Sequence, residues 1–171
     1  PLILVVMGSL GSTSVNAIMK DALPAVSERY QILFVTGKNN YEEMRKQIHA
    51  PHVKVVDYVK QLDIMAHVDL IVCRAGATTA AEITALGTPS ILVPSPYVAH
   101  NHQFYNASVL VDHKAAVMLE DKDLNAEALS NAIDRIMSDD LLRASMHSAS
   151  LALGKPNASE DILNWCDEMK R

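Results

Sequence analysis

Continuous apolar runs recur along the chain, and the longer segments between them have apolar residues at helical spacing. Aliphatic and β-branched runs without polar alternation are typical of strands that are buried on both faces of a parallel sheet. The pattern predicts six strands, at 2–7, 32–35, 53–56, 70–73, 91–93 and, more weakly, 115–119. It predicts helices at about 14–29, 40–49, 61–67, 79–86, 101–112, 126–137, 139–152 and 159–170.

Strands that alternate with helices favour a doubly wound, Rossmann-like α/β fold in which about six parallel strands are flanked by helices. A length of 171 residues fits one domain, 1–171. The segment "LGKPNAS" at 153–159 separates the last helix from the body, and 159–171 is therefore expected to dock elsewhere. Ligands of such sheets bind at the carboxyl ends of the strands, so the loops after the strands should carry the chemistry.

Composition and charge remove several classes of function. The chain has a net charge of −5 and lacks the clustered basic residues that are typical of a nucleic-acid-binding protein. The two cysteines are far apart, which is typical of reduced thiols in a cytosolic protein. No apolar run approaches the roughly 18 residues of a membrane span. His100 and His102 have no third ligand at a recognisable spacing, so no metal site is predicted.

The first strand leads into "GSLGSTS" at 8–14, and the fourth leads into "RAGATTAAE" at 74–82. Glycine lets a ligand approach the backbone, and a helix start presents N–H groups to a phosphate or diphosphate. A tight strand–helix turn remains the alternative for the first loop. Thr79 and Glu82 fit a capping box. From these residues alone, the capping box and ribose binding by Glu82 are equally favoured. Arg74, at a buried sheet edge, needs an anionic partner from the protein or a ligand.

Two further loops have weaker signals. The peptide edge at Tyr58–Val59 in "DYVKQLDIM" is suited to a flat base, although an ordinary strand–helix junction is the favoured interpretation. Asn, His and Gln side chains in "PSPYVAHNHQFYNA" are suited to sugar hydroxyls, which need both donors and acceptors. The chain contains no nucleophile elbow, so covalent catalysis is not predicted.

Taken in order, "GSLGS", "VVDYV" and "CRAGATTAAEITALGTPSILVPSPYVAHNHQFYNA" closely resemble the C-terminal half of the MurG family of GT-B glycosyltransferases. The resemblance extends over essentially all 171 residues. It implies a donor site for UDP-N-acetylglucosamine (UDP-GlcNAc) with no cofactor or metal. The implied donor-site residues are Ser9, Leu10, Gly11, Tyr58, Val59, Arg74, Gly76, Ala77, Thr78, Thr79, Glu82, His102 and Gln103.

The resemblance also implies roles within this set. The glycine loop around Ser9 faces the diphosphate and sugar, backbone near Val59 contacts the uracil, and Glu82 holds the ribose hydroxyls. Residues 76–79 line the nucleotide and diphosphate, whereas His102 and Gln103 contact the GlcNAc hydroxyls. Arg74 is expected to organise the donor loop.

Family members act on the inner face of the cell membrane, where they transfer GlcNAc to a lipid-linked MurNAc-pentapeptide, lipid I. The resemblance places the acceptor site and the general base in an N-terminal half that precedes this one. No catalytic residue is therefore expected here, and the sequence is interpreted as an excised domain rather than a natural split subunit. Self-association through the last helix is a further expectation. The alternatives are another GT-B UDP-sugar enzyme, such as a glycolipid glycosyltransferase or a 2-epimerase, and a stand-alone UDP-sugar-binding subunit.

Overall fold

A computed structural model gives the structure of the protein over residues 1–7 and 12–169. Six strands form one sheet in the order β3-β2-β1-β4-β5-β6, and every neighbouring pair is parallel. The strands are β1 Leu2–Val6, β2 Gln31–Val35, β3 Val53–Val56, β4 Leu70–Cys73, β5 Ser90–Leu92 and β6 Ala116–Met118. This arrangement confirms the predicted doubly wound, Rossmann-like sheet.

Helices connect the strands and cover both faces of the sheet. They are α1 Thr13–Ser27, α2 Tyr41–Gln47, α3 Gln61–Met65, α4 Ala77–Leu86, α5 His102–Asp112, α6 Ala126–Met137, α7 Asp140–Leu153 and α8 Ala158–Met169. A short 3₁₀ helix at Ala99–Asn101 precedes α5. The predicted helices are all present. Helix α4 begins two residues earlier than the predicted residue 79, which changes the interpretation of the site described below.

The core lies on both faces of the sheet because alternate residues of each strand point to opposite sides. Ile3 and Val5 of β1 belong to one apolar cluster, which includes residues of α1 and α6. Leu4 and Val6 belong to the other, which includes residues of α4 and α5. Burial on both faces explains why these strands have continuous apolar runs instead of an alternating pattern.

The chain reverses its direction of travel across the sheet between β1 and β4. It passes from β1 outward to β2 and β3, and then returns to form β4 on the other side of β1. At such a switch point the loops after the two central strands diverge and leave a crevice at their carboxyl ends. The fold therefore places the loops after β1 and β4 on either side of one crevice.

Helix α8 contributes no buried residue to the described structure. Its large apolar side chains, Ile162, Leu163, Trp165 and Met169, are 59–65% exposed. The predicted amphipathic helix is therefore formed, and its apolar side does not pack on this domain. Within residues 1–7 and 12–169, no helix has the length and apolar character needed to cross a membrane.

Candidate functional site

Two hollows, each of about 390 Å³, lie side by side at the carboxyl edge of the sheet. Val6 and Gln61 line both of them, so the two form one cleft at the switch point. Among the described residues, the first hollow is also lined by Met7, Ser12, Cys73, Arg74, Gly76, Thr79, Ser95, Tyr97 and Gln103. The other residues of the second hollow are Val35, Asp57, Tyr58, Val59, Lys60, Leu62, Asp63 and Glu82.

The start of α4 opens into the first hollow without a side-chain cap. Gly76 is the N-cap, and the first helical hydrogen bond to its carbonyl comes from the N–H of Ala80. The N–H groups of residues 77–79 therefore have no acceptor within the helix. An added Cβ at position 76 would have no heavy atom of the described residues within 4 Å. Unpaired N–H groups and the helix dipole make this end suited to an anion.

Of the two alternatives for Glu82, the capping box with Thr79 does not form. Because α4 begins at Ala77, Thr79 is the third residue of the helix and Glu82 is the sixth, too far along to reach the N-cap. The carboxylate of Glu82 instead accepts a hydrogen bond from Nε2 of Gln61, over 3.1 Å. Glu82 lies in the wall of the second hollow, and ribose binding by this residue stays a prediction.

Arg74 has an anionic partner within the protein. Its guanidinium donates to Oδ1 of Asp121 over 2.6 Å and to the carbonyl of Val93 over 3.0 Å. It also donates to Oγ of Ser12 over 3.1 Å. The side chains of Arg74 and Asp121 are only 12% and 19% exposed, so the pair is poorly screened by water. Arg74 thus links residues of three loops, including Ser12 of the loop after β1.

The predicted base-binding edge lies in the second hollow. Tyr58 is 61% exposed and Val59 is half-buried beside it. In the described part of the chain, the loop and turn hydrogen bonds do not involve the peptide groups of Val59. A planar ligand with a donor and an acceptor on one edge could therefore pair with this backbone.

The structure separates the two residues that the resemblance assigned to the sugar. Gln103 lines the first hollow, where its Oε1 accepts a hydrogen bond from the N–H of Ser95 over 2.9 Å. His102 is exposed, does not line that hollow, and has its Nδ1 3.0 Å from the carbonyl of Ala99. The backbone turn at His100 and Asn101, with φ of 54° and 52°, directs the chain into α5.

The remaining predicted residues divide into two sets. Ala77 and Thr78 are exposed on the first turn of α4. Ser9, Leu10 and Gly11 lie outside the described residues. Sequence reasoning missed Gln61 and Asp121, although Gln61 begins the helix predicted after the third strand and Asp121 lies two residues after the sixth, where polar side chains approach the carboxyl edge.

Cys73 also lines the first hollow but is not a reactive thiol. Burial is the main factor that raises the pKa of this thiol far above its usual range, and the charge of Glu82 raises it further. The thiol therefore stays protonated, and a protonated thiol is a poor nucleophile. Within the described ranges, no group of three or more His, Cys, Asp or Glu side chains is arranged to hold a metal ion.

The sequence profile of the glycosyltransferase family 28 C-terminal domain matches residues 2–162. The chain belongs to this family. It is 41% identical over 171 residues to the UDP-N-acetylglucosamine–N-acetylmuramyl-(pentapeptide) pyrophosphoryl-undecaprenol N-acetylglucosamine transferase of Limosilactobacillus reuteri subsp. reuteri (strain JCM 1112). That alignment covers 95% of this chain and 46% of the relative. The chain thus spans about half the length of the curated relatives it matches.

Solved structures support the same assignment. The crystal structure of Acinetobacter baumannii MurG superposes with a TM-score of 0.88 and 27% identity, over 97% of this chain and 49% of that one. The glycosyltransferase VinC, solved in complex with DTDP, superposes with a TM-score of 0.75 over 99% of this chain and 42% of that one. VinC is only 19% identical, so it shows the shared fold alone. The chain therefore has the fold of the C-terminal domain of a GT-B glycosyltransferase.

Proposed function

We propose that the cleft binds UDP-GlcNAc and that the chain is the donor-binding half of an N-acetylglucosaminyltransferase. The observation that carries this proposal is the joining of two chemically different hollows into one cleft through Val6 and Gln61. One hollow has features that suit a nucleoside, and the other has features that suit a diphosphate and a sugar. The names of the family relatives give the sugar and the nucleotide.

The second hollow is proposed to hold the uridine. The unpaired peptide edge at Val59 is matched to the donor and acceptor of a uracil, and the exposed Tyr58 ring provides a surface beside it. Glu82 is proposed to accept hydrogen bonds from the ribose hydroxyls. Among the described residues, Glu82 has no ion-pair partner, so its negative charge is free to strengthen hydrogen bonds with a ligand.

The first hollow is proposed to hold the diphosphate and GlcNAc. The uncapped start of α4 places N–H groups where the diphosphate would lie, and Ser12 at the start of α1 lines the same hollow. Gln103 is the proposed sugar contact. Its Nε2 takes part in no hydrogen bond with the described residues and can donate to a hydroxyl.

The proposed reaction is an inverting transfer to the C4 hydroxyl of a lipid-linked MurNAc-pentapeptide, lipid I. The bond between the anomeric carbon of GlcNAc and the diphosphate breaks, and a bond from that carbon to the acceptor oxygen forms. The electron pair leaves with UDP, and the acceptor proton passes to a general base. Because N–H groups at a helix start stabilise negative charge, α4 would favour departure of UDP. No cofactor is proposed.

The acceptor site and the general base are proposed to lie in a second half, which makes up the rest of the relatives' length. The complete enzyme would then work at the cytoplasmic face of the membrane, where lipid I is held. In this scheme the chain alone binds the nucleotide sugar but transfers little or no GlcNAc. Incubation of the chain with UDP-GlcNAc and lipid I, with chromatography to measure the UDP released, tests that statement.

Isothermal titration calorimetry of the chain with UDP, UDP-GlcNAc and ADP tests the donor site. We expect UDP to bind more tightly than ADP, because the larger adenine ring would move the ribose away from Glu82 if its edge paired with Val59. Charge-assisted hydrogen bonds contribute about 1.5–3 kcal/mol, so Glu82→Ala should raise the Kd for UDP about tenfold or more. Glu127→Ala, in the first turn of α6 and outside the cleft, is the control and should leave the Kd unchanged. Equal affinity for UDP and ADP would contradict the proposal.

A further inference from the structure

We propose that Gln61 is a positioning residue that gives the cleft its preference for ribose over 2′-deoxyribose nucleotides. This inference rests on the proposed function, in which Glu82 holds the ribose hydroxyls. Gln61 would act through Glu82, by fixing the carboxylate in the orientation that accepts from the 2′ and 3′ hydroxyls together. The residue is the first of α3 and lines both hollows, so it stands where the nucleoside part of the cleft meets the diphosphate part.

The contacts of Gln61 fix the direction of its amide. Nε2 donates to Oε2 of Glu82 over 3.1 Å and is 3.5 Å from Oγ1 of Thr79. The same nitrogen is 3.4 Å from the sulfur of Met65. Because a carboxylate only accepts hydrogen bonds, the amide must turn its NH₂ group toward Glu82. Gln61 therefore contacts one oxygen of Glu82 and leaves the other, Oε1, for a ligand.

The neutral amide is important for this role. A lysine or arginine at position 61 would orient the carboxylate but would also neutralise it. Gln61 orients the group and leaves its full charge, and in the described structure Glu82 has no other side-chain partner. A fixed, fully charged carboxylate can accept from two neighbouring hydroxyls at once, and a nucleotide that lacks the 2′ hydroxyl loses one of these hydrogen bonds.

Calorimetry with UDP and 2′-deoxy-UDP separates this role from a purely structural one. The unmodified chain should bind UDP about tenfold more tightly than 2′-deoxy-UDP, the equivalent of one charge-assisted hydrogen bond. Gln61→Ala should reduce that ratio to less than about threefold, since a mobile carboxylate discriminates less well. Its Kd for 2′-deoxy-UDP should change less than about twofold.

The chain offers a matched control in a second Gln–Glu pair. Gln47 donates from Nε2 to Oε1 of Glu43 over 3.1 Å on the exposed side of α2, away from the cleft. Gln47→Ala should leave the Kd for both nucleotides and their ratio unchanged. Gln61→Met, which keeps the length of the side chain and removes the amide, is the second test variant if Gln61→Ala does not fold. It should lower the ratio in the same way.

The possible outcomes separate this inference from the proposed function. Equal binding of UDP and ADP by the unmodified chain would overturn both. A preference for UDP over ADP without discrimination against 2′-deoxy-UDP would overturn this inference alone. The same conclusion follows if the Gln61 variants weaken the binding of UDP and 2′-deoxy-UDP equally and leave the ratio of the two Kd values unchanged. Gln61 would then only link α3 to α4. The inference would be supported if the ratio of the Kd for 2′-deoxy-UDP to the Kd for UDP is lower in the Gln61 variants and unchanged in Gln47→Ala.

Discussion

The two ends of α4 both have a glycine, but for different physical reasons. Gly87, just after the helix, has a φ of +71°, in the left-handed region that glycine adopts most readily. An added Cβ there would lie 2.6 Å from Cγ of Leu151 and 2.7 Å from the ring of His147. Gly76, before the helix, has an ordinary extended conformation with φ of −64° and ψ of 150°, and no described residue crowds it.

The comparison distinguishes an end that is closed by packing from an end that is open to a ligand. At the closed end, α7 contacts the backbone of α4 directly. Nδ1 of His147 is 2.7 Å from the carbonyl of Gly87, and Oγ of Ser150 donates to the carbonyl of Ile83 over 3.2 Å. At the open end, no side chain among residues 1–7 and 12–169 hydrogen-bonds to the first N–H groups. The local conformation does not require glycine at position 76, and among the described residues the space above it is open.

The largest expected effect is at the closed end. Gly87→Ala combines a left-handed backbone with a side chain that overlaps α7, and should lower the free energy of unfolding by about 2–4 kcal/mol. Urea denaturation followed by circular dichroism measures this loss. The matched substitution at the open end, Gly76→Ala, should change the free energy of unfolding by less than about 1 kcal/mol. Similar losses in the two variants would show that the ends do not differ in packing.

The next effect concerns the ion pair that supports the open end. Asp121→Ala leaves the guanidinium of Arg74 without its anion in a poorly exposed position, and should lower the free energy of unfolding by about 1–3 kcal/mol. The Kd for UDP should also rise, because without Asp121 the guanidinium of Arg74 is less firmly positioned to donate to Ser12 in the first hollow. Lys122→Ala is the control, since Lys122 is 70% exposed and its pair with Glu120 contributes little. An Asp121→Ala chain as stable as Lys122→Ala would contradict this account.

The third effect tests the open end by closing it. Gly76→Asp places a carboxylate at the N-cap of α4, where it can accept from the free N–H groups and repel a diphosphate. The Kd for UDP should rise about tenfold or more, while the stability of the chain stays the same or rises by a few tenths of a kcal/mol. Gly76→Asn, which caps without charge, should have the smaller effect on the Kd. Unchanged UDP binding in Gly76→Asp would place the diphosphate away from α4.

The smallest effect comes from a helix whose start is capped by a side chain. Oδ1 of Asn125 accepts from the N–H of Ala128 at the start of α6, over 2.9 Å. Asn125→Ala should lower the free energy of unfolding by about 1 kcal/mol and leave UDP binding unchanged. Denaturation and calorimetry on the same sample would check both statements. A higher Kd for UDP would indicate that α6 contributes to the cleft.

The sequence by itself determined the architecture and the general location of the site. Runs of buried β-branched residues and helical spacing are local patterns, and each strand and helix can be recognised from a short window. Parallel strands with helices between them then require loops at one edge of the sheet, which is where "RAGATTAAE" and "DYVKQLDIM" lie. The family resemblance could be identified from these loops for the same reason.

Only the tertiary structure decided which side chains in those loops meet. Gln61 and Glu82 are 21 residues apart, and Arg74 and Asp121 are 47 residues apart, so no local pattern connects them. The capping box does not form because α4 begins at Ala77, with Gly76 as its N-cap, and a sequence pattern locates a helix end only to within a few residues. The contacts between Gln61 and Glu82 and between Arg74 and Asp121 have a different cause: contacts between distant segments depend on the path of the whole chain, which sets the partners available to each side chain.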